Sequence, residues 1–189
     1  MPTATNVSTG KPKVTGAVFR APLKTPLPTD ASTALDTAFV ELGYVSDDGV
    51  RNANTAESDE VKAWGGAPVL NLQTGKPDTW KLKLIEALNP NVLKTVYGDA
   101  NVTVEGNTIR VKATTEQAND AVYVIDMILK GGAMKRVVIP IGSLSEVAEV
   151  VYKDDEPIGY EITISGMEHE GATHLEYIQL AAAEAAAAE

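Results

Sequence analysis

The stretch AVYVIDMIL, Ala121 to Leu129, decides the fold. Every residue except Asp126 is apolar, and Val, Tyr and Ile favour extended backbone. A run apolar on both faces is what a strand covered on both sides requires. Asp126, alone in it, is expected to face a paired Lys or Arg, or an interface, rather than to act as a catalyst.

Reading outward towards the C-terminus, Lys130-Gly131-Gly132 turns the chain into a second strand, Met134 to Ile141, and a third follows from Leu144 to Tyr152. The charged turn Lys153-Asp154-Asp155-Glu156-Pro157 comes next. Ile158, Tyr160, Ile162 and Ile164 then alternate with Gly159, Glu161 and Thr163, the clearest period-two pattern in the chain. Beyond Gly166 an edge strand is expected through Leu175 and Ile178. The chain ends in AAAEAAAAE, which is helix-prone but has no apolar stripe.

Towards the N-terminus, Thr108–Ala113 and Asn101–Val104 flank Glu105-Gly106-Asn107, a hairpin connection. Asn89 to Tyr97 reads as a helix: Asn89 caps it, Pro90 suits its first position and Gly98 stops it. Val92, Leu93, Val96 and Tyr97 make an apolar stripe on this short helix, which must therefore lie on a sheet. Ala67–Thr74 and Thr79–Ala87, joined by Gly75-Lys76-Pro77-Asp78, read as an antiparallel hairpin with one wet face. Leu35 to Val45 reads as a half-buried strand. Between them Ser46 to Lys62 is polar, with Asp47, Asp48, Glu57, Asp59 and Glu60 set against Arg51; it reads as a long loop that ends near the aromatic anchor Trp64. Pro22, Pro26 and Pro28 mark an extended connector behind the short apolar run Val14–Ala21, and residues 1–13 form an arm that cannot pack alone.

These elements add up to a mainly β fold, a β-sandwich or barrel with one flanking α-helix. The organisation is an arm over 1–13, a β domain over 14–178 containing the loop 46–62 and the helix 89–97, and an Ala/Glu-rich tail over 179–189. The 189 residues carry a formal net charge of −10. That balance argues against sequence-specific nucleic-acid binding, which needs clustered Lys and Arg. With no cysteine, disulfides and thiolate metal sites are excluded. The N-terminus lacks the apolar core of a signal peptide and no run has membrane-spanning length, so production in a cytoplasm, with no membrane partner, is the expectation.

No catalytic constellation emerges. His169 and His174 are spaced poorly for a shared metal and read as solvated surface histidines. Ser143 and Ser145 have no nearby base, and there is no GxSxG or phosphate-binding glycine loop. Asp154-Asp155-Glu156 lacks the alternating ligands of a calcium loop. The reading is of a non-enzymatic protein without a cofactor. Unpacked arms combined with open sheet edges point to self-assembly.

Several blocks carry a resemblance: GAVFRAPL (16–23) with the proline-rich connector, LGYVSDDGV (42–50), SDEVKAWGG (58–66), LIEALNPNVLKTVYG (84–98) and YKDDEPIGYEITI (152–164). In this order they resemble the major tail tube protein of bacteriophages with long, non-contractile tails, most closely those of actinobacterial phages. The resemblance runs from about Gly10 to Tyr177 and leaves out the Ala/Glu-rich terminus. It implies hexameric rings that stack into a virion tail tube, assembled in the host cytoplasm around a tape measure protein. Tail tip and tail terminator proteins would be further partners, and viral DNA would pass through without specific binding. It also implies that the loop makes the inter-ring contact, through Ser46, Asp47, Asp48, Arg51, Asn52, Asn54, Glu57, Asp59, Glu60 and Trp64. Basic partners for its acids are expected among Lys11, Lys13, Arg20 and Lys24. Glu41, Lys81, Lys83, Glu161 and Thr163 are the wet-face candidates for the lumen. The rival reading is a virion-surface β-sandwich module that binds a carbohydrate or receptor, which would need an aromatic-lined groove.

Overall fold

The computed structural model describes residues 6–13 and 16–181. The Ala/Glu tract from 182 onward and the first five residues of the expected arm lie outside them. Strands β1 (Lys11–Pro12), β2 (Val18–Pro22), β3 (Val40–Glu41) and β4 (Val45–Asn54) precede β5 (Glu57–Lys62), β6 (Pro68–Gly75) and β7 (Asp78–Leu84). Helix α1 (Pro90–Tyr97) follows, then β8 (Val102–Glu105), β9 (Thr108–Val111), β10 (Ala121–Ile128), β11 (Met134–Val147), β12 (Tyr160–Gly166) and β13 (Leu175–Gln179). The main sheet runs β3-β2-β10-β11-β12-β7-β4, with β1 on β10 and β13 on β11. Every pairing in it is antiparallel. The fold is mainly β, a β-sandwich type with a flanking helix.

The strand that opened the sequence reading lies at the centre, between β2 and β11, and its first six residues are buried. Tyr123 and Ile125 point to one face with Val137, Ile139, Ile162, Ile164, Trp80, Leu82 and Leu84, and α1 closes that face with Val92, Leu93 and Val96. Burying each of these helix side chains contributes roughly 2 kcal/mol, more than an eight-residue helix could supply by itself. The helix starts and stops where its sequence says: Asn89 Oδ1 accepts from the Asn91 amide at 2.9 Å, and the Gly98 amide returns to the Lys94 carbonyl. The β8–β9 hairpin adds Val102 to the same core.

The opposite face of β10 and β11 carries Asp126 and Arg136, directly opposite each other and both buried. Arg136 Nε and Nη2 donate to the two Asp126 carboxylate oxygens at 2.7 and 2.8 Å. Its Nη1 donates to the Asp30 and Thr33 carbonyls at 3.1 and 2.8 Å. The guanidinium thus fastens the proline-rich connector over the sheet. Asp126 has the cationic partner that its isolation demanded.

Three strand assignments differ from the sequence reading. Leu35–Val45 is extended only at Val40–Glu41 and from Val45, because Asp36 folds a turn through its carbonyl to the Phe39 amide and its carboxylate to the Ala38 amide. Met134–Ile141 and Leu144–Tyr152 are not two strands; one strand, β11, ends at Val147. The strand runs on through Pro140 and Gly142 because the pairing with β10 shifts register between Ala121 and Tyr123, where an unpaired residue is tolerated. Gly142 is required there, since a Cβ would fall 2.5 Å from the Tyr123 ring. Finally, Ala67–Thr74 and Thr79–Ala87 do not pair with each other: β6 pairs with β5, whereas β7 pairs with β4 and β12.

Candidate assembly surfaces

The segment expected as the loop Ser46–Lys62 is two strands. β4 pairs with β7 from Val50 opposite Leu82 to Asn54 opposite Asp78, and after a short gap β5 pairs with β6 from Glu57 opposite Gly75. The ladder stops at Thr55–Ala56 and Lys76–Pro77, where Pro77 has no amide to donate, and then resumes. A turn closed by the Ala63 amide on the Ala67 carbonyl, and by the Gly66 amide on the Ala63 carbonyl, reverses the chain at the far end. The result is one long hairpin whose root belongs to the main sheet and whose outer half, β5–β6, is a separate two-stranded arm.

The arm is exposed throughout. Opposite residues share a face, so Asp59, Val61, Leu70 and Leu72 stand on one side and Ser58, Glu60, Asn71 and Gln73 on the other. Val61, Leu70 and Leu72 therefore form an exposed apolar stripe. Trp64 is not a packed anchor at the base; it occupies the tip with relative exposure 107 %. An isolated two-stranded hairpin is marginal in water, and an apolar stripe on one face gives it a reason to seek a partner.

The ten residues assigned to inter-ring contact are accordingly divided. Ser46, Asp47, Asp48, Arg51, Asn52 and Asn54 lie on β4 at the root, while Glu57, Asp59, Glu60 and Trp64 lie on the arm. Asp48 accepts from Arg51 at 2.9 Å. Asn52 Nδ2 donates to the Asp78 carboxylate at 2.7 Å, and His174 Nδ1 lies 2.6 Å from the other carboxylate oxygen. Burial pushes the Asp78 carboxyl up, but hydrogen bonds from Asn52, His174 and Thr173 outweigh it and hold it below the usual carboxylate range. His174, read as a solvated histidine, is half-buried with its ring edge-on to Trp80 at 5.1 Å, so this cluster ties the arm's root to the segment before β13. His169 is exposed as expected.

Of the wet-face candidates, Lys81, Lys83, Glu161 and Thr163 gather on neighbouring strands, Thr163 opposite Lys81 and Glu161 opposite Lys83. Lys81 also forms an ion pair with Glu161, and Arg51 lies opposite Lys81 on the next strand. Glu41 is not among them; it sits on β3, at the other edge of the sheet. The patch is thus of mixed sign. Among the basic candidates, Arg20 is buried in the core and bonds Asp99 through both terminal nitrogens at 2.9 and 2.8 Å. Lys13 lies 3.6 Å from Asp126. Both are engaged within their own subunit, while Lys11 and Lys24 are exposed.

The sequence matches the family model described as phage tail tube protein over residues 7–189. The chain belongs to the phage tail tube protein family. The match includes the Ala/Glu-rich terminus, which the resemblance had left outside. No curated protein matches the chain. It is a structural component of the virion tail, of a family that assembles with itself into a tube and with other tail components. Tail tube proteins are not an enzyme class. No helix among the described residues is long and apolar enough to cross a membrane. The chain has two tryptophans; Trp80 is buried in the core and Trp64 is at the arm tip, so they share no groove of the kind a carbohydrate-binding module needs.

Proposed function

We propose that this tail tube protein closes into hexameric rings that stack into the tube of a long, non-contractile tail, using the β5–β6 arm as the contact between rings. The observation that carries this reading is the arm itself: a two-stranded hairpin standing clear of the main sheet with Val61, Leu70 and Leu72 exposed along one face. Ring closure covers the open edges of the main sheet, at β3 and β4, which a free subunit leaves unpaired. The tube encloses the tape measure protein during assembly in the host cytoplasm and ends at tail tip and terminator proteins. Viral DNA then passes through it.

The charge supports passage without adhesion. Each subunit carries a formal net charge of −10, and a repeated acidic surface repels phosphate rather than binding it by counterion release. The Lys81–Glu161 patch is the lumen candidate, with Lys81 neutralised by Glu161.

Electron microscopy of the purified protein at high concentration tests the assembly. Wild type should form rings or tubes. A variant with residues 56–76 replaced by a short turn should keep its fold, since these residues contribute nothing to the core, and should no longer stack. Strictly monomeric wild type, or tubes from the trimmed variant, would refute the proposal.

A further inference from the structure

The arm's root and a second apolar feature lie at opposite ends of β7. β7 begins at Asp78, beside the arm's root, and ends at Leu84; the chain then enters a shallow recess lined by Ile85, Glu86, Ala87, Leu88, Asn89 and Ile158. Leu88 is 85 % exposed, and Tyr44, joined to this segment by the bond from the Ile85 amide to its carbonyl, is 75 % exposed. The Glu86 carboxylate does not hang free over the recess, since it accepts from the Tyr44 amide and from Asn89 Nδ2, each at 2.9 Å.

Trp64 does not occupy the recess of its own subunit, since it is fully exposed at the tip. At about 3.3 Å per residue, β7 puts roughly 20 Å between the arm's root and the recess. The recess of another copy is the one open to Trp64. Such a contact joins unlike surfaces, so it repeats head to tail and generates an open polymer rather than a closed pair. Charge favours the same docking. Lys83 lies across Gly159, next to Ile158, where a Cβ on Gly159 would meet Lys83 Cε at 2.6 Å. It offers Asp59, on the arm's apolar face, a basic partner that the buried Arg20 cannot; Glu60, on the other face, already pairs with Lys62 at 3.5 Å.

We infer that the Trp64 indole seats in the Ile85–Ala87–Leu88–Ile158 recess of the subunit in the next ring, with Lys83 at its border facing Asp59 of the arm. The inference rests on the stacked-ring reading and names the partner surface within it.

The chain has no cysteine, so placed thiols report the contact cleanly. Ala63→Cys beside the tryptophan and Ala87→Cys in the recess are small changes that leave Trp64, Ile85, Leu88 and Ile158 in place. Tubes assembled from a mixture of the two single variants should give cross-linked dimers that contain one of each. A Trp64→Ser variant, whose unchanged melting curve reports an intact fold, should raise the concentration needed for tube formation at least about tenfold, which corresponds to about 1.4 kcal/mol. Ala63–Ala63 cross-links, tubes without the mixed cross-link, or wild-type assembly by Trp64→Ser would overturn the docking and leave the tube reading standing. Failure of the wild type to form rings or tubes would instead remove the reading on which the docking rests.

Discussion

Arg136→Ala should be among the most damaging single substitutions in this protein, although it lies far from the arm. The Arg136 side chain is 1 % exposed and satisfies four acceptors: both Asp126 oxygens and the Asp30 and Thr33 carbonyls. Removing it leaves a buried carboxylate whose remaining cation, Lys13, is 3.6 Å away and partly in water. Breaking a buried ion pair from one side costs about 3–5 kcal/mol. Lys13 retains part of the attraction, so the lower end of that range applies. For a chain of this size each kcal/mol moves the melting temperature by about 2–4 °C, giving a fall of roughly 6–12 °C. The assay is thermal unfolding followed by circular dichroism, paired with limited proteolysis, because the connector between Leu23 and Ala38 should become cleavable once its carbonyls lose their donor. The double variant Asp126→Leu/Arg136→Met, flanked by Val124 and Val138 on the same face, should recover most of the stability. A fall below 2 °C for the single variant, or no recovery in the double, would refute the clamp.

Two pH effects follow from the buried groups. Asp78 is held below its ordinary range when folded, so its contribution is complete above the unfolded carboxylate pKa of about 3.9 and is lost as pH falls through the folded value. Asp78→Asn should be less stable than wild type at pH 7 and show a shallower acid limb; parallel melting curves from pH 7 to 2.5 would contradict this. Tyr160 behaves in the opposite sense, because burial pushes its hydroxyl up to about 12. Its contribution is complete below about pH 10, the unfolded value, and is lost as pH rises towards the folded value, so Tyr160→Phe should flatten the alkaline limb above pH 10. An alkaline limb unchanged by that substitution would exclude Tyr160 as its source.

The parts of the fold legible in the sequence are those in which a residue's role depends on its near neighbours. Asn89 and Gly98 bracket the helix because capping is local, and the Tyr160–Ile164 alternation marks β12 because one face is buried. Asp126 announced a partner because an apolar strand cannot hold a lone carboxylate. The arm was illegible for the converse reason. Both faces of Glu57–Lys62 meet solvent in the subunit, so no period-two pattern is imposed on ESDEVK, and its strand character comes from its pairing with β6. Gly75 and Pro77 then gave a break between two in-phase ladders the look of a reversal. Trp64 looked like an anchor because most tryptophans are covered, and only the position of the turn exposes it. His174 finds Asp78 across 96 residues of chain, a separation no local pattern can signal.

The register is the same on either side of the joint at Thr55–Ala56 and Lys76–Pro77, and β6 then carries an unmatched residue opposite Glu57–Ser58 and another opposite Val61–Lys62. Each matched pair of residues added to the two strands lengthens the arm's reach by about 3.3 Å. Side chains alternate between faces, so two such pairs lengthen the arm by about 6.6 Å and keep the Val61–Leu70–Leu72 stripe facing the same way relative to the root, whereas one pair turns it over. On the proposed ring-to-ring contact, added or removed matched pairs would change the tube's axial repeat in increments of about 3.3 Å.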